Sequence, residues 1–334
     1  MNSTPIFGHQ RVIEALRQAI AKNELHHTLL FSGPEGIGKR IVAKNLAATL
    51  LCDSQQDGEE KEAPTRIFGG CGQCHTCTVF RAGNLPDIFT ISCSEKTSSS
   101  TEAVRELLHS LRLRPFSGKY RFLIFDDAHL LQGQAANALL KSLEEPRPGT
   151  FFILITGKPH LMLRTIHSRA QRWGFHRLNS EDLRSVIRSN IQEDQESPQV
   201  DESLLPLADG SYESYRLLEQ FGSILEERQS ALQKIAGGDR ALALELGSSL
   251  AQTKETLRDE LLCLHLLARK ELAGTHSVQW ATFLFELGEM DYYLLKRNFA
   301  PLYLLQNLFL HLADPHPERY VVEPSSTLEH RIAN

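Results

Sequence analysis

Between Leu29 and Arg40 the sequence runs Leu-Leu-Phe-Ser-Gly-Pro-Glu-Gly-Ile-Gly-Lys-Arg, an apolar run that breaks into a glycine-rich turn and ends on two basic residues. In a phosphate-binding loop, a buried strand precedes the turn, glycines let backbone N–H groups surround a phosphate, and the next helix presents its positive N-terminus. Residues 41–51 have the composition of such a helix, so a chance glycine-rich turn is the weaker interpretation. The stretch therefore predicts an α/β fold with a phosphate-binding loop.

The loop itself departs from the usual pattern at one position. Gly33, Gly36 and Gly38 are the expected phosphate-contacting glycines, and Lys39 is expected to reach the β- and γ-phosphates. Arg40 stands where a serine or threonine hydroxyl would ligate the Mg²⁺ of a bound nucleotide. Three outcomes stay open for ATP with Mg²⁺ at this loop: weak binding, binding without turnover, and no binding.

Composition limits the class of protein. The chain has 334 residues, of which 41% are hydrophobic and 23% charged, which suits two or three globular domains. Its net charge of −5 argues against a protein that coats nucleic acid through bulk charge, although basic residues gather at 105–121 and 158–188. Because the sequence has neither a signal-peptide pattern nor an apolar run long enough to cross a bilayer, we expect a cytoplasmic protein.

Four of the six cysteines have the spacing of metal ligands. Cys71, Cys74 and Cys77 are each separated by two residues, and Cys52 lies upstream at the end of the predicted helix. Four thiolates can surround one tetrahedral Zn²⁺, and a cytosolic chain of this size is unlikely to use its cysteines for disulfides. We therefore predict a structural zinc site.

Two other uses of these cysteines stay open: free thiols in a loop, and a metal site in which His75 replaces one cysteine. Residues 68–78 contain few apolar side chains that could hold a small module together, and this favours the metal. Cys93 and Cys263 lie in apolar surroundings and are predicted to be small core residues.

Strands and helices are predicted to alternate through the first half of the chain. Residues 86–91, 120–125 and 151–156 have strand patterns. Residues 7–26 are predicted to contain an entry segment and an amphipathic helix. Further helices are predicted at 101–113, with Ser100 or Thr101 as its cap, and at 134–145, where Pro146 ends the helix. This order indicates a doubly wound, mostly parallel sheet with flanking helices.

Polar residues follow the predicted strands at the edge where ligands bind in such sheets. Asp126 is expected to meet the Mg²⁺ of a nucleotide held at Lys39. Asp127 stands where a water-activating acid is usually a glutamate, and its shorter side chain would place a base poorly. Thr156 lies at the polar tip of a later strand, so these residues are expected to converge.

Several segments together carry a family resemblance: the loop, the four cysteines, Asp-Asp-Ala-His at 126–129, Asn-Ala-Leu-Leu-Lys-Ser-Leu-Glu-Glu-Pro at 137–146, and Ser-Arg at 168–169. Over residues 5–180 the chain resembles the AAA+ subunits of the bacterial DNA polymerase III clamp loader. The resemblance implies an α/β P-loop AAA+ domain at 1–177 with a zinc module at 52–77, a small helical lid domain at 178–212, and a helical collar domain for oligomerisation at 213–334.

Within that family, three departures favour the delta-prime type of subunit over the gamma/tau motor. Arg40 replaces Ser/Thr, Asp127 replaces Glu, and Gly-Ser-Tyr-Glu at 210–213 stands where the motor's lid carries a nucleotide-sensing arginine. Glu213 would repel a γ-phosphate. The length, without a long C-terminal extension, also fits the delta-prime type.

The resemblance also assigns a role to Arg169. In this family a Ser-Arg-Cys motif supplies an arginine finger to ATP on the neighbouring subunit, and Ser-Arg-Ala at 168–170 keeps the arginine and loses the cysteine. A surface arginine at the end of a helix is the alternative. The implied partners are gamma/tau-like and delta-like subunits, the sliding clamp, and primer–template DNA through its phosphates. Lys141 and Arg105 are weak candidates for phosphate contacts, and a solvated helix charge is the better explanation of each.

The rest of the chain is predicted to be helical. Lid helices are expected at 180–191 and 202–208 with an acidic linker around 193–202, and collar helices at 241–250, 257–267 and 302–312, followed by an irregular tail after Asp314. We expect a subunit that helps an ATP-driven ring load the sliding clamp. Two alternatives stay open: an active motor that uses Lys39, Asp126 and Asp127, and an AAA+ nucleotide switch outside replication.

Overall fold

The computed structural model describes residues 6–56, 68–93, 99–110, 114–116, 120–131, 133–190, 200–252, 256–296 and 301–314. It divides the chain into two compact units, Met1–Glu213 and Ser214–Asn334. The predicted tail after Asp314, most of the predicted acidic linker, the end of the helix predicted at 101–113, and the capping side chains of Ser100 and Thr101 lie outside the described residues.

The first unit alternates helices and strands as predicted. In chain order its elements are α1 (Gln10–Ala21), β1 (Thr28–Ser32), α2 (Lys39–Leu51), α3 (Asp53–Gln56), α4 (His75–Arg81), β2 (Ile88–Ser92), α5 (Ser99–Ser110), β3 (Arg121–Asp126), α6 (Gly133–Glu144), β4 (Thr150–Thr156), α7 (Arg164–His167), β5 (Gln171–Gly174), α8 (Ser180–Asn190) and α9 (Leu205–Ala208). Short 3₁₀ turns follow β3 at Ala128–Leu130 and β4 at Pro159–Leu161.

The five strands form one parallel sheet in the order β2-β3-β4-β1-β5. Ser32 lies opposite Thr156, and Ser92 lies opposite Asp126, so the polar ends of these four parallel strands lie at the same edge of the sheet. The predicted α/β P-loop AAA+ fold class is confirmed. The sequence analysis missed β5, a short strand in which half-buried and exposed residues alternate.

Alternation along β1 explains how the sheet acquires two apolar faces. Leu29 and Phe31 pack into a core that includes residues of α1 and α2, whereas Leu30 packs on the other side with residues of α5 and α6. All three side chains are fully buried. A strand covered on both faces must be apolar at consecutive positions, and this explains the continuous Leu-Leu-Phe run before the loop.

Two helix boundaries follow from local chemistry. Helix α6 ends at Glu144, because Pro146 cannot continue a helix and restricts the residue before it. Helix α9 begins later than predicted, because the Asp201 carboxylate accepts hydrogen bonds from the Ser203 backbone N–H at 2.9 Å and the Ser203 hydroxyl at 2.6 Å. That turn occupies the residues predicted to start the helix.

The second unit is helical, as expected for residues 213–334. Its helices are α10 (Tyr212–Phe221), which begins at the boundary, α11 (Ile224–Ala236), α12 (Arg240–Gln252), α13 (Leu257–Thr275), α14 (Val278–Lys296) and α15 (Pro301–Ala313). Helices α12 and α15 pack closely, since a Cβ atom added to Gly247 would lie 2.9 Å from the backbone nitrogen of Gln306. Among the described helices of the whole chain, none combines the length and apolarity required to cross a bilayer.

Candidate functional site

The segment between β1 and α2 has the form of a phosphate-binding loop. Gly36 and Gly38 have φ values of 69° and 98°, in the left-handed region that glycine adopts at little cost. The Gly33 N–H donates a hydrogen bond of 3.2 Å to the Thr156 carbonyl, which ties the start of the loop to the end of β4. Helix α2 then begins at Lys39, as the motif requires.

Lys39 contacts the loop that it belongs to. Its ammonium group donates a 2.8 Å hydrogen bond to the Gly33 carbonyl and also contacts the Pro34 carbonyl. Only 6% of the residue is exposed. Burial lowers the pKa of Lys39, and nearby carboxylates, including those of Asp126 and Glu213, oppose that shift. In this structure the donors of Lys39 therefore face backbone oxygens.

Arg40 forms an ion pair with Asp126. The Arg40 Nη1 atom lies 3.1 Å from the Asp126 Oδ2 atom, across the gap between α2 and the end of β3. Burial and the neighbouring Asp127 carboxylate raise the pKa of Asp126, while the charges of Arg40 and Lys39 lower it. Asp126 Oδ1 also accepts a 3.2 Å hydrogen bond from the Asp127 N–H. The carboxylate predicted to meet a metal is thus paired with an arginine.

The other predicted residues at this edge are positioned by internal contacts. Asp127 has a left-handed backbone with φ of 51°. Thr156 is fully buried, with its hydroxyl 3.2 Å from Nδ1 of His129 and accepting a 3.0 Å hydrogen bond from the Lys158 N–H. This pairing joins the ends of β3 and β4 and was not predicted, although His129 stands in the Asp-Asp-Ala-His motif at 126–129.

Residues 211–213 close over the loop. The Tyr212 N–H donates a 3.1 Å hydrogen bond to the Gly36 carbonyl. A Cβ atom added to Gly36 would lie 2.5 Å from the Cβ of Glu213 and closer still to the Ser211 hydroxyl. The loop and this segment are therefore in direct contact, and the segment brings a glutamate to the mouth of the loop.

These contacts do not fit the Mg²⁺ that accompanies a nucleotide in a P-loop site. Such a metal requires the hydroxyl after the loop lysine and an unpaired carboxylate at the end of β3. Arg40 supplies no hydroxyl and pairs with the carboxylate of Asp126. Oxygen ligands suit Mg²⁺, and a guanidinium group is not one of them.

The four predicted zinc ligands come together. The sulfur atoms of Cys52, Cys71, Cys74 and Cys77 all lie within 4.8 Å of one another. The Cys52–Cys74 and Cys71–Cys77 sulfur pairs are 3.9 Å and 4.0 Å apart. Zn–S bonds of about 2.3 Å in a tetrahedron imply sulfur–sulfur distances of about 3.8 Å, so the geometry suits one zinc ion. His75 is exposed and is not a member of this group, which comes from the described residues.

Backbone N–H groups favour the thiolate form of one cysteine in the cluster, Cys71. The N–H groups of Cys74 and Gln73 approach the Cys71 sulfur at 3.3 Å and 3.5 Å, and that sulfur is 3.4 Å from the Ser54 hydroxyl. These hydrogen bonds, first that of Ser54, lower the pKa of Cys71 to about 6. Burial instead raises the pKa values of Cys52 and Cys77. A bound cation would instead favour the thiolate forms of Cys52 and Cys77, which burial alone disfavours.

Asp53 joins the two helices beside the cysteines. Its carboxylate accepts a 2.7 Å hydrogen bond from the Thr76 hydroxyl and a 3.2 Å bond from the Thr76 N–H. These hydrogen bonds lower the pKa of Asp53. Outside the cluster, Cys263 is fully buried and Cys93 packs at the margin of the core.

Arg169 lies just after α7 and is held by a carboxylate that the sequence analysis did not single out. Its Nη2 atom is 2.7 Å from Oε1 of Glu144, at the end of α6. Its Nη1 atom donates to the Thr165 carbonyl at 3.1 Å and to the Ser168 hydroxyl at 3.2 Å. The Arg169 side chain is 36% exposed. Glu144 belongs to the Leu-Glu-Glu-Pro run, so the pattern contained a signal for this contact.

The two candidate phosphate contacts lie on helices of the first unit. Arg105 on α5 hydrogen bonds to Gln134 on α6. Lys141 is exposed on α6. The structure does not join these two side chains to the loop residues through any contact within the described part of the chain.

A protein-family model described as "DNA polymerase III, delta subunit" matches residues 8–179, just over half of the chain. The chain belongs to this family. The match begins before α1 and ends before α8, so it covers the sheet, the loop and the cysteine cluster. The chain is thus a member of the clamp-loader AAA+ proteins of bacterial DNA polymerase III.

Curated relatives share part of their length with this chain. The tau subunit of DNA polymerase III from Bacillus subtilis is 32% identical over 220 residues, covering 64% of this chain and 37% of the relative. The tau subunit from Escherichia coli is 28% identical over 247 residues, covering 72% of this chain and 36% of the relative. The chain therefore spans about a third of the length of these relatives.

A solved structure resembles the chain along most of its length. The DNA polymerase III gamma subunit-related protein of Thermotoga maritima aligns with 90% of this chain and 98% of its own, with a TM-score of 0.45 and 16% identity.

Proposed function

We propose that this chain is a delta-prime-like subunit of the DNA polymerase III clamp loader. It helps a heteromeric, ATP-driven ring to load the sliding clamp on primer–template DNA, in the bacterial cytoplasm. The observation that carries this proposal is the Arg40–Asp126 ion pair, which ties up the metal-binding carboxylate of the chain's own loop. We use "silent loop" for this loop, residues 33–40, because it does not hydrolyse ATP in the proposed role.

In the same role, Arg169 serves a neighbouring subunit. A subunit with a silent loop still contributes to hydrolysis if it presents an arginine to ATP bound next door, where the guanidinium stabilises the charge of the transition state. Arg169 is partly exposed at the end of a short helix, which suits such a contact. Glu144 holds the guanidinium in position until a phosphate competes for it.

The cysteine cluster has a structural role in this proposal. Cys52, Cys71, Cys74 and Cys77 would hold one Zn²⁺ that fixes α3 and α4 against the end of α2. With all four ligands supplied by the protein, no position is open for substrate. The metal therefore stabilises the module and takes no part in ATP hydrolysis.

The domain plan completes the proposal. Residues 1–177 form the AAA+ domain with the zinc module at 52–77, residues 178–212 the helical lid, and residues 213–334 the collar. The boundary between compact units at Glu213 and Ser214 supports a separate collar. Gamma/tau-like and delta-like subunits are the proposed ring partners, and DNA contacts would be to phosphates and independent of base sequence.

The experiment that tests this function measures Mg²⁺-ATP hydrolysis by the purified chain, and then by the reconstituted ring with Arg169 and with Arg169→Ala. We expect no turnover by the chain alone. In the ring, Arg169→Ala should lower turnover at the neighbouring site by about a thousandfold, the usual scale for an arginine finger. Arg164→Ala removes an exposed arginine from the same short helix and should leave ring activity unchanged.

A second candidate, an active gamma/tau-like motor, is favoured by one observation. The relatives from Bacillus subtilis and Escherichia coli are tau subunits, and this chain retains Lys39 and Asp126. Robust ATP turnover by the isolated chain would support the motor and overturn the delta-prime-like role. An Arg169→Ala ring with full activity would likewise remove the proposed arginine finger.

A further inference from the structure

Arg40, in the first turn of α2, reaches the end of β3. Its guanidinium bridges the two elements that contribute metal ligands in P-loop sites, and it reaches Oδ2 of Asp126 at 3.1 Å. A serine at this position would offer a hydroxyl on the loop side and leave the carboxylate unpaired. The arginine therefore removes the hydroxyl and also occupies the carboxylate that a metal would require.

The charges around Arg40 show why a cation is needed there. Asp126 and Asp127 are consecutive carboxylates, and the Asp126 side chain is only 22% exposed. Lys39, a second cation whose charge acts on Asp126, donates to the carbonyls of Gly33 and Pro34. Two adjacent acids in a partly buried site require a counter-charge, and the described contacts give that place to Arg40.

We propose that Arg40 is a built-in cation that replaces Mg²⁺ at Asp126, so that the silent loop selects against metal-bound nucleotide. The selection comes from the occupied carboxylate, from the missing hydroxyl, and from repulsion between the guanidinium and an incoming divalent ion. It follows that Arg40→Ser creates a divalent-cation site from residues that the fold already positions. This inference rests on the proposed function only for the expectation that the loop is silent.

The test uses the full chain, with Mn²⁺ as the metal and a fluorescent ATP analogue as the nucleotide. Nucleotide affinity is measured with Mn²⁺ and with excess EDTA for wild type, Arg40→Ser, Arg40→Ser/Asp126→Asn, and Lys44→Ser. Lys44 is exposed on the same helix one turn later, so Lys44→Ser removes a positive charge without changing the Asp126 pair. Circular dichroism establishes that each variant is folded.

We expect wild type and Lys44→Ser to bind nucleotide undetectably, or with affinities that Mn²⁺ changes by less than about twofold. Arg40→Ser should bind at least about tenfold more tightly with Mn²⁺ than with EDTA, and Asp126→Asn in the same chain should abolish that gain. Arg40→Ser/Glu213→Gln, which also removes the acid at the mouth of the loop, provides a second variant for the same comparison.

Two results would overturn the inference. One is a wild-type affinity that Mn²⁺ already increases tenfold or so, since the arginine would then not exclude metal. The other is the absence of metal-dependent binding in both Arg40→Ser and Arg40→Ser/Glu213→Gln. Neither result bears on Arg169 in the ring, so failure of this inference and failure of the proposed function are distinguishable.

Discussion

His9 connects the start of α1 to the phosphate loop. Its Nε2 atom donates a 2.7 Å hydrogen bond to the Ile37 carbonyl, and its ring packs edge-on against Phe175 with centroids 5.2 Å apart. Burial lowers the pKa of His9, although the bond to Ile37 and the charge of Asp182 oppose the shift. The folded protein therefore favours neutral His9.

A pH dependence follows from that shift. Because the pKa of His9 is lower in the folded than in the unfolded chain, the unfolded chain takes up the proton first as pH falls through about 6.5, and stability is lost in that direction. We expect His9→Gln to reduce the loss of unfolding free energy between about pH 7.5 and pH 5.5. Urea unfolding at both pH values measures the effect.

Exposed His160 provides the matched control for that measurement, since His160→Gln makes the same substitution at a surface position. The pKa of His27 is also lowered by burial, so a part of the dependence should remain in His9→Gln. Identical pH dependence in wild type and His9→Gln would contradict the role assigned to His9.

At the level of single residues, the sequence indicates candidate groups for chemistry more readily than the partners that those groups contact. Lys39, Arg40, Asp126 and the cysteines follow from short motifs whose spacing is local. The contact between Arg169 and Glu144 joins residues of different helices and depends on how those helices pack. Each residue stands in a motif of its own, but no local spacing links the two motifs, so the sequence indicated the arginine without its carboxylate.

Among the described secondary-structure elements, α3 and α4 are the ones that a zinc ion at the cysteine cluster would stabilise. Both helices are short, and the cysteine cluster lies where they meet α2. We expect the purified chain to contain about one zinc ion, and we expect chelation to lower its thermal stability, because metal binding stabilises small modules of this kind. Elemental analysis and thermal unfolding with and without chelator test both statements.

Cysteine variants separate this site from other thiols. Cys74→Ser should lose the metal, because its sulfur belongs to the cluster and also accepts a 3.4 Å hydrogen bond from the Cys77 N–H at the start of α4. Cys93→Ser should retain the metal, since Cys93 lies apart from the cluster. A metal-free wild-type chain would instead support the alternative of free thiols.

The contact between the phosphate loop and residues 211–213 can be measured with two glycines. Gly36 and Gly133 both have left-handed backbones, with φ of 69° and 57°, so alanine strains each by about 1 kcal/mol or somewhat more. A Cβ on Gly36 would collide with Ser211 and Glu213, whereas a Cβ on Gly133 would meet nothing within 4 Å.

We therefore expect Gly36→Ala to lower the free energy of unfolding by about 1–3 kcal/mol more than Gly133→Ala, the usual scale for overpacking. Denaturant unfolding of the two variants gives the difference directly. Equal losses would mean that residues 211–213 move away from the loop without cost.

Elements with long apolar patterns were predictable, and short ones were less so. Strands β1 to β4 are apolar runs in a sheet covered on both faces, and all four were predicted. Strand β5, with the sequence Gln-Arg-Trp-Gly, is a four-residue strand at the sheet edge, where only alternate side chains need burial. Its pairing with β1 therefore depends on the completed sheet more than on local sequence.

On the scale of the whole molecule, the second compact unit contains a partly buried ion pair of its own. In the second unit, Arg228 and Glu260 form two hydrogen bonds of 3.1 Å, and their side chains are 17% and 11% exposed. The hydrogen-bonded carboxylate of Glu260 raises the pKa of Arg228 above its ordinary value. Removing Glu260 leaves a charge with little access to water, which is costly.

We expect Glu260→Ala to destabilise the helical unit by about 3 kcal/mol, the lower end of the range for breaking a buried pair. Arg240→Ala breaks the more exposed pair with Asp314 in the same unit and should cost less than about 1 kcal/mol. Calorimetry should show that Glu260→Ala lowers the unfolding temperature of residues 214–334 by more than Arg240→Ala does. A shift no larger than that of Arg240→Ala would contradict the prediction.

The position of β1 in the sheet has a consequence for synthesis of the chain on the ribosome. β1 ends at Ser32, whereas both of its neighbours, β4 and β5, begin only at Thr150 and Gln171, so β1 is made well before they are. At typical translation rates the strand that leads into the phosphate loop waits on the order of ten seconds for its partners. During that interval its Leu-Leu-Phe run has no sheet to join, and the nascent polypeptide is a candidate client for ribosome-associated chaperones.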